Sequence, residues 1–217
     1  MAENLSETEV RVLGCLVEKQ LTTPEYYPLT LNALIAACNQ KSNREPVVSY
    51  DETTVMRALD SLRDQNLVYV FHGSTSRVVK YKHMVPSVYE LDPAETAALT
   101  VLMLRGPQTV GEIRGRTDRL YEFESLGGVQ DVLENLARRN ESLVVRLDRL
   151  PGQKDARYAH LLAGEIDIKS VSATAVRPTA NSLSDERIEL LEREVERLRE
   201  QFASLSETFD TFKKQFE

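Results

Sequence analysis

Three helical stripes followed by a hairpin, then the same series again, then an unbroken heptad predict a mainly α, α+β fold. The prediction is two tandem winged-helix domains plus a C-terminal coiled-coil helix. Residues 1–88 make the first domain, 89–162 the second, 163–183 a flexible linker and 184–217 the coil.

The first helix opens at Ser6-Glu7-Thr8-Glu9, a capping box in which the Ser hydroxyl accepts from a free helix N–H while Glu9 reaches back. Val10, Leu13, Leu16 and Val17 follow at helical spacing, and Thr22, Thr23 and Pro24 end the element. Gly14 sits inside it at a cost of about 1 kcal/mol relative to Ala, which a close helix crossing explains. Leu31, Leu34, Ile35 and Cys38 mark a second short helix starting near Thr30, and a polar loop runs from Asn39 to Pro46. A third helix begins at a capping box, Ser49-Tyr50-Asp51-Glu52, buries Val55, Leu59 and Leu62, and stops near Asn66, a residue that tolerates a left-handed cap. Residues 67–71 and 77–82 read as strands around a turn at 72–76.

The order then recurs. Asp92-Pro93-Ala94-Glu95 repeats the first cap, with Pro93 at the first helical position, where its missing N–H costs nothing. Thr109-Val110-Gly111-Glu112 opens a second short helix, and Val129, Val132, Leu133 and Leu136 mark a third. Residues 143–147 and 156–161 are the strands, with Pro151-Gly152 at the turn. The helix over 94–104 is apolar nearly all round, so it is expected to pack against the first domain or a second subunit. Residues 163–182 are rich in Ser, Thr and Ala and read as linker. Ile188, Leu191, Val195, Leu198, Phe202, Leu205, Phe209, Phe212 and Phe216 then alternate spacings of 3 and 4. That seam needs an equally long partner, so self-association is expected, a dimer being favoured. An amphipathic helix folded back on its own domain is the other reading.

Composition excludes several functions. The 217 residues are 41% hydrophobic and 28% charged, ordinary for a soluble protein. The longest apolar run, residues 97–104, is far short of the roughly 20 a membrane span needs. The N-terminus has no basic region leading into an apolar one, so a cytoplasmic protein without a secretory signal is expected. Cys15 and Cys38 lack CxxC spacing and lie on apolar stripes, which assigns them to the core. His72, His83 and His160 are not spaced as metal ligands. No GxSxG, Walker loop or GxGxxG occurs, so neither a catalytic site nor a cofactor is expected.

A binding role is what remains, with DNA or another protein as partner. The net charge of −7 counts against a polycationic DNA binder. The third helix of a winged helix often enters the major groove, yet residues 50–65 carry a net −2 and residues 126–140 a net 0. Cationic and amide side chains lie elsewhere. Asn39, Gln40, Lys41, Asn43 and Arg44 form the loop before the third helix; Arg77, Lys80 and Lys82 line the first wing; Arg105, Arg114, Arg116 and Arg119 surround the second short helix. These are the candidate nucleic-acid or partner contacts, since amides and guanidinium groups suit phosphate. The bland alternative for the loop is that its side chains cap helix ends and bond the turn.

The loop also carries a family resemblance. Leu16-Val17-Glu18-Lys19-Gln20, Thr22-Thr23-Pro24, Tyr27-Pro28-Leu29 and the run over 37–47 resemble the bacterial YceH-like family, as do Leu104-Arg105-Gly106-Pro107-Gln108-Thr109, Tyr121-Glu122-Phe123 and Arg157-Tyr158. The resemblance covers nearly the whole chain and implies a tandem winged-helix fold in a cytosolic bacterial protein. It implies no activity. The role it leaves open is a non-enzymatic DNA-binding or transcription-regulatory one, or that of a protein–protein adaptor.

Overall fold

Local caps start most of the helices. The computed structural model describes residues 4–71, 78–149 and 155–164. The linker and heptad predictions, the turns at 72–76 and 151–152, and Arg77 lie outside them. Helix α1 (Glu7–Thr22) opens with the Ser6–Glu9 capping box. The Ser6 N–H donates to Glu9 at 2.6 Å and the Ser6 hydroxyl accepts from the Glu9 N–H at 3.3 Å. Helix α5 (Pro93–Arg105) and helix α6 (Val110–Thr117) open with the boxes Asp92–Glu95 and Thr109–Glu112. Thr30 caps α2 (Leu31–Cys38) and Ser125 caps α7 (Leu126–Arg138).

Helix α3 (Glu52–Asp64) departs from the expected cap. Its N-cap is Asp51, whose carboxylate accepts the Thr54 N–H at 2.8 Å, so the helix starts three residues after Ser49. An aspartate caps as well as a serine and adds a favourable charge at the positive end of the helix dipole. The helix does stop as expected, with Asn66 in the left-handed region at φ 60°.

Each half closes with a three-stranded antiparallel sheet. Strand β1 (Leu29–Thr30) pairs with β3 (Lys80–His83), which pairs with β2 (Val68–Phe71). In the second half β4 (Gln108–Thr109) pairs with β6 (Arg157–His160), which pairs with β5 (Val144–Arg146). The returning strand β3 lies later than residues 77–82. It extends through His83, which is opposite Val68 and donates its N–H to the Tyr27 hydroxyl at 2.7 Å. The two-residue strands β1 and β4 and the one-turn helix α4 (Val85–Val88) have no counterpart in the sequence reading, being too short to show a period.

The described residues belong to one compact unit, Met1–Val171. Both halves feed a single core that includes Leu13 and Leu16 of α1, Leu59 and Leu62 of α3, Leu99 and Leu102 of α5, and Leu133 and Leu136 of α7. Helix α5 is buried from Ala94 to Leu104, as its all-round apolarity requires, and it packs on α1. The crossing is close at Gly14, where an added Cβ would sit 3.0 Å from Leu104 Cδ2 and 3.2 Å from Met103 Cβ. Cys15 and Cys38 are buried free thiols in this core, as expected.

Two histidines make folding sensitive to acid. His83 is buried; its Nδ1 accepts the Val85 N–H at 3.3 Å, and its ring lies edge-on to Tyr27. Burial, with Lys82 adding to it, lowers His83 from 6.5 to about 4. Burial alone lowers His160 to about 4. Well above pH 6.5 both are neutral whether the chain is folded or not. As pH falls from there toward 4, the unfolded chain takes up protons that the folded chain refuses, so stability is lost. The expected loss between pH 6.5 and 5 is about 2 kcal/mol for each histidine. Urea unfolding across that range reads it, and His160→Leu should remove about half of the dependence. Glu18, whose carboxyl is held low, contributes its loss only below pH 4.5, outside this window.

Candidate functional site

The loop between α2 and α3 is exposed along most of its length but turns one side chain inward. Arg44, at its centre, has a fully buried side chain. Its Nη1 and Nη2 donate to the two Glu18 carboxylate oxygens at 2.9 and 2.5 Å, a bidentate pair with α1. Its other donors reach the Ala37 carbonyl, the Asn43 carbonyl and Gln40 Oε1. Burial pushes the Glu18 carboxyl up, but the Arg44 hydrogen bonds and charge outweigh it and hold it below the ordinary carboxylate value.

The loop's other amides also bond the protein. Asn39 exchanges two hydrogen bonds with the Tyr50 backbone, both 2.8 Å. Asn43 adopts the left-handed region at φ 61° and accepts from Arg105 at the end of α5. The Glu45 N–H donates to the Leu104 carbonyl at 2.9 Å, satisfying an orphan carbonyl in the last turn of α5. Arg11 of α1 donates to the Pro46 carbonyl at 2.7 Å. The loop is therefore a brace tying α1, α2 and α5 together. Of the five candidate contacts predicted in it, Asn39 and Arg44 spend their polar groups on the protein itself, and Gln40 and Asn43 each give it their side-chain oxygen. Lys41 alone is exposed without a hydrogen bond or ion pair among the described residues.

Of the candidate cations around α6, Arg105, Arg114 and Arg116 are engaged, while Arg119 is exposed without a hydrogen bond or ion pair among the described residues. Arg114 donates to the Phe123 and Glu124 carbonyls, and Arg116 lies 3.8 Å from Glu112. On α3, Arg63 pairs with Asp60 at 3.1 Å. On α7, Arg138 pairs with Glu134, while Arg139, just past its end, pairs with Glu95 and donates to the Tyr89 carbonyl. The exposed face of α3 also carries Asp51, Glu52, Asp60 and Asp64. Neither helix presents a cationic face.

The first sheet does. Its register places Tyr69 opposite Lys82 and Phe71 opposite Lys80. Strand alternation sends Val68, Val70, Tyr81 and His83 to the core and these four side chains to the other face. Tyr69 is 53% and Phe71 47% exposed, and Lys82 is exposed while Lys80 is half-buried. Neither lysine is in an ion pair among the described residues. The two aromatic residues were missed as site residues. Their Val-Tyr-Val-Phe alternation was visible, but which face looks outward follows only from the pairing with β3.

A shallow cleft of about 310 Å³ opens between the starts of α2 and α3 and the residues Val78 and Val79. Glu52 and Tyr81 are the titratable groups in its lining. Among the described residues, no group of three or more His, Cys, Asp or Glu is placed to hold a metal ion, and no helix is long and apolar enough to cross a membrane.

Residues 5–153 match the family model described as "Protein of unknown function, DUF480". The chain belongs to the DUF480 family. A UPF0502 protein of Pelobacter propionicus is 51% identical over 216 residues, 98% of each chain. Another, from Geotalea uraniireducens, is 50% identical over the full length of both. A third, from Opitutus terrae, is 57% identical over 175 residues, 80% of this chain and 76% of that one. The DUF480 match takes in α1, the brace loop and α5 together, so these three elements lie inside one family unit.

Proposed function

We propose that this chain is a non-enzymatic binding protein of the cytoplasm, built on two tandem winged-helix domains, with a DNA-binding, regulatory role. The observation that supports this most is the outward face of the first sheet, where Lys80 and Lys82 have no ion-pair partner among the described residues and can neutralise phosphate. In this reading DNA is met by the first wing and Lys41, and α3 and α7 are packing elements rather than groove readers. The heptad from Ile188 to Phe212, outside the described residues, is proposed to self-associate and so to present two such wings.

Binding of a labelled duplex by the intact chain, followed in a salt titration by sedimentation velocity, tests the proposal. The affinity should fall steeply with salt, and Lys80→Gln with Lys82→Gln should reduce the slope by about 2. The same runs report the mass of the free protein, which should exceed the monomer. No binding of duplex or single strands at low salt would reject the DNA reading. The acidic exposed face of α3 favours a second reading, a protein–protein adaptor, and that reading expects no nucleic-acid binding at all.

A further inference from the structure

We propose that the outward face of the first hairpin binds unpaired bases, making single-stranded nucleic acid its preferred ligand; this rests on the nucleic-acid reading above and narrows it. Tyr69 and Phe71 are two residues apart on one strand, about 6.8 Å, so two successive unstacked bases can each lie on a ring. Lys82 and Lys80 lie directly across on β3. A base has a π-face that stacks on an aromatic ring whatever its identity, and the phosphates between bases need cations beside the rings. Sheets that present aromatic side chains on an open face capture unstacked bases in this way. Bases inside a duplex keep their faces covered, so a flat aromatic face gains nothing from them.

The plain alternative is that aromatic residues are there because strands favour them. The second sheet argues against it. Its pairs Gln108–Tyr158, Val144–His160 and Arg146–Tyr158 match Leu29–Tyr81, Val68–His83 and Val70–Tyr81 register for register. The positions of Tyr69 and Lys82 are there Val145 and Ala159, and Ala159 is 2% exposed. The position of Phe71 is Leu147, 8% exposed, and that of Lys80 is Arg157, which pairs with Glu112 at 3.0 Å. The same sheet therefore forms without exposed rings and without free cations on this face. In the first half the face is open and combines both.

The full chain should be titrated by fluorescence anisotropy with labelled oligothymidylate, oligouridylate and a mixed-sequence duplex at one salt concentration. Single strands should bind about 10-fold or more tighter than duplex. Tyr69→Ala and Phe71→Ala should each weaken single-strand binding about 10-fold, Tyr69→Phe should retain it, and Lys82→Gln should lower the salt slope by about 0.7. The two homopolymer arms tell whether DNA or RNA is preferred, and tight binding of either supports the proposal. Duplex bound as tightly as single strands, with the alanine variants unchanged, would overturn it while leaving the DNA reading standing. No binding to any of the three would overturn both. All four side chains lie on the solvent face, so unchanged thermal unfolding of the variants is expected and separates lost contacts from lost fold.

Discussion

Arg44→Ala is expected to destabilise the protein by about 3–5 kcal/mol, among the largest effects of any single substitution outside the apolar core. The change removes the bidentate partner of a buried ion pair and leaves Glu18 with only Lys19, 3.6 Å away, as a cation. Glu18 keeps its burial but loses both hydrogen bonds and the charge that hold its carboxyl low. The Ala37 and Asn43 carbonyls and Gln40 Oε1 lose a donor at the same time. Arg44→Lys should recover little, because an ammonium cannot span two carboxylate oxygens and reach the carbonyls together. Replacing both partners with methionine should cost less than the single change, since a buried pair exchanged for apolar groups of similar volume is often neutral. Lys41→Ala, three residues away and exposed, should stay within about 0.5 kcal/mol of the parent. Urea unfolding midpoints at constant slope read all four variants. An Arg44→Ala cost below about 1 kcal/mol would show that the pair contributes little to holding the loop.

This ranking also bears on how a binding experiment is read. Loss of DNA binding in an Arg44 variant reports on the fold, because the guanidinium is buried between α1 and the loop. Loss in Lys41, Lys80 or Lys82 variants reports on contact. The residue types that nominated the loop, amides and guanidinium groups, serve a phosphate and a backbone carbonyl equally well. Only tertiary position separates the two uses, and one sequence does not contain it. The capping boxes at Ser6, Asp92 and Thr109 were legible for the opposite reason: donor and acceptor lie three residues apart, so spacing alone defines the bond. The third strands β1 and β4 were illegible because two residues have no period. The aromatic face was half legible. Alternation separates Tyr69 and Phe71 from Val68 and Val70, but the outward direction depends on the pairing with β3, which runs over Lys80–His83 rather than 77–82.

Gly14→Leu is expected to destabilise the protein by about 3 kcal/mol, at the upper end for an overpacked core. The first atom of any side chain at this position meets Leu104 Cδ2 at 3.0 Å, Leu104 Cγ at 3.2 Å and Met103 Cβ at 3.2 Å. Leu104 Cδ2 is the end of a flexible side chain, whereas Met103 Cβ is fixed to the backbone of α5. A leucine would therefore have to push α5 away from α1, and with it the braces at Glu45–Leu104 and Arg105–Asn43 that cross the same boundary. Gly14→Ala separates the two parts of this argument. Alanine gains about 1 kcal/mol of helix propensity over glycine, and the same close contacts take it back, so the net change should be near zero. On an exposed helix face the full gain would appear. A clear stabilisation by alanine together with a tolerated leucine would mean that α1 and α5 do not cross closely here. Near-neutral alanine and a strongly destabilising leucine, measured by urea unfolding, would locate the glycine's cost in the sequence where its benefit lies, at the contact that joins the two halves into one core.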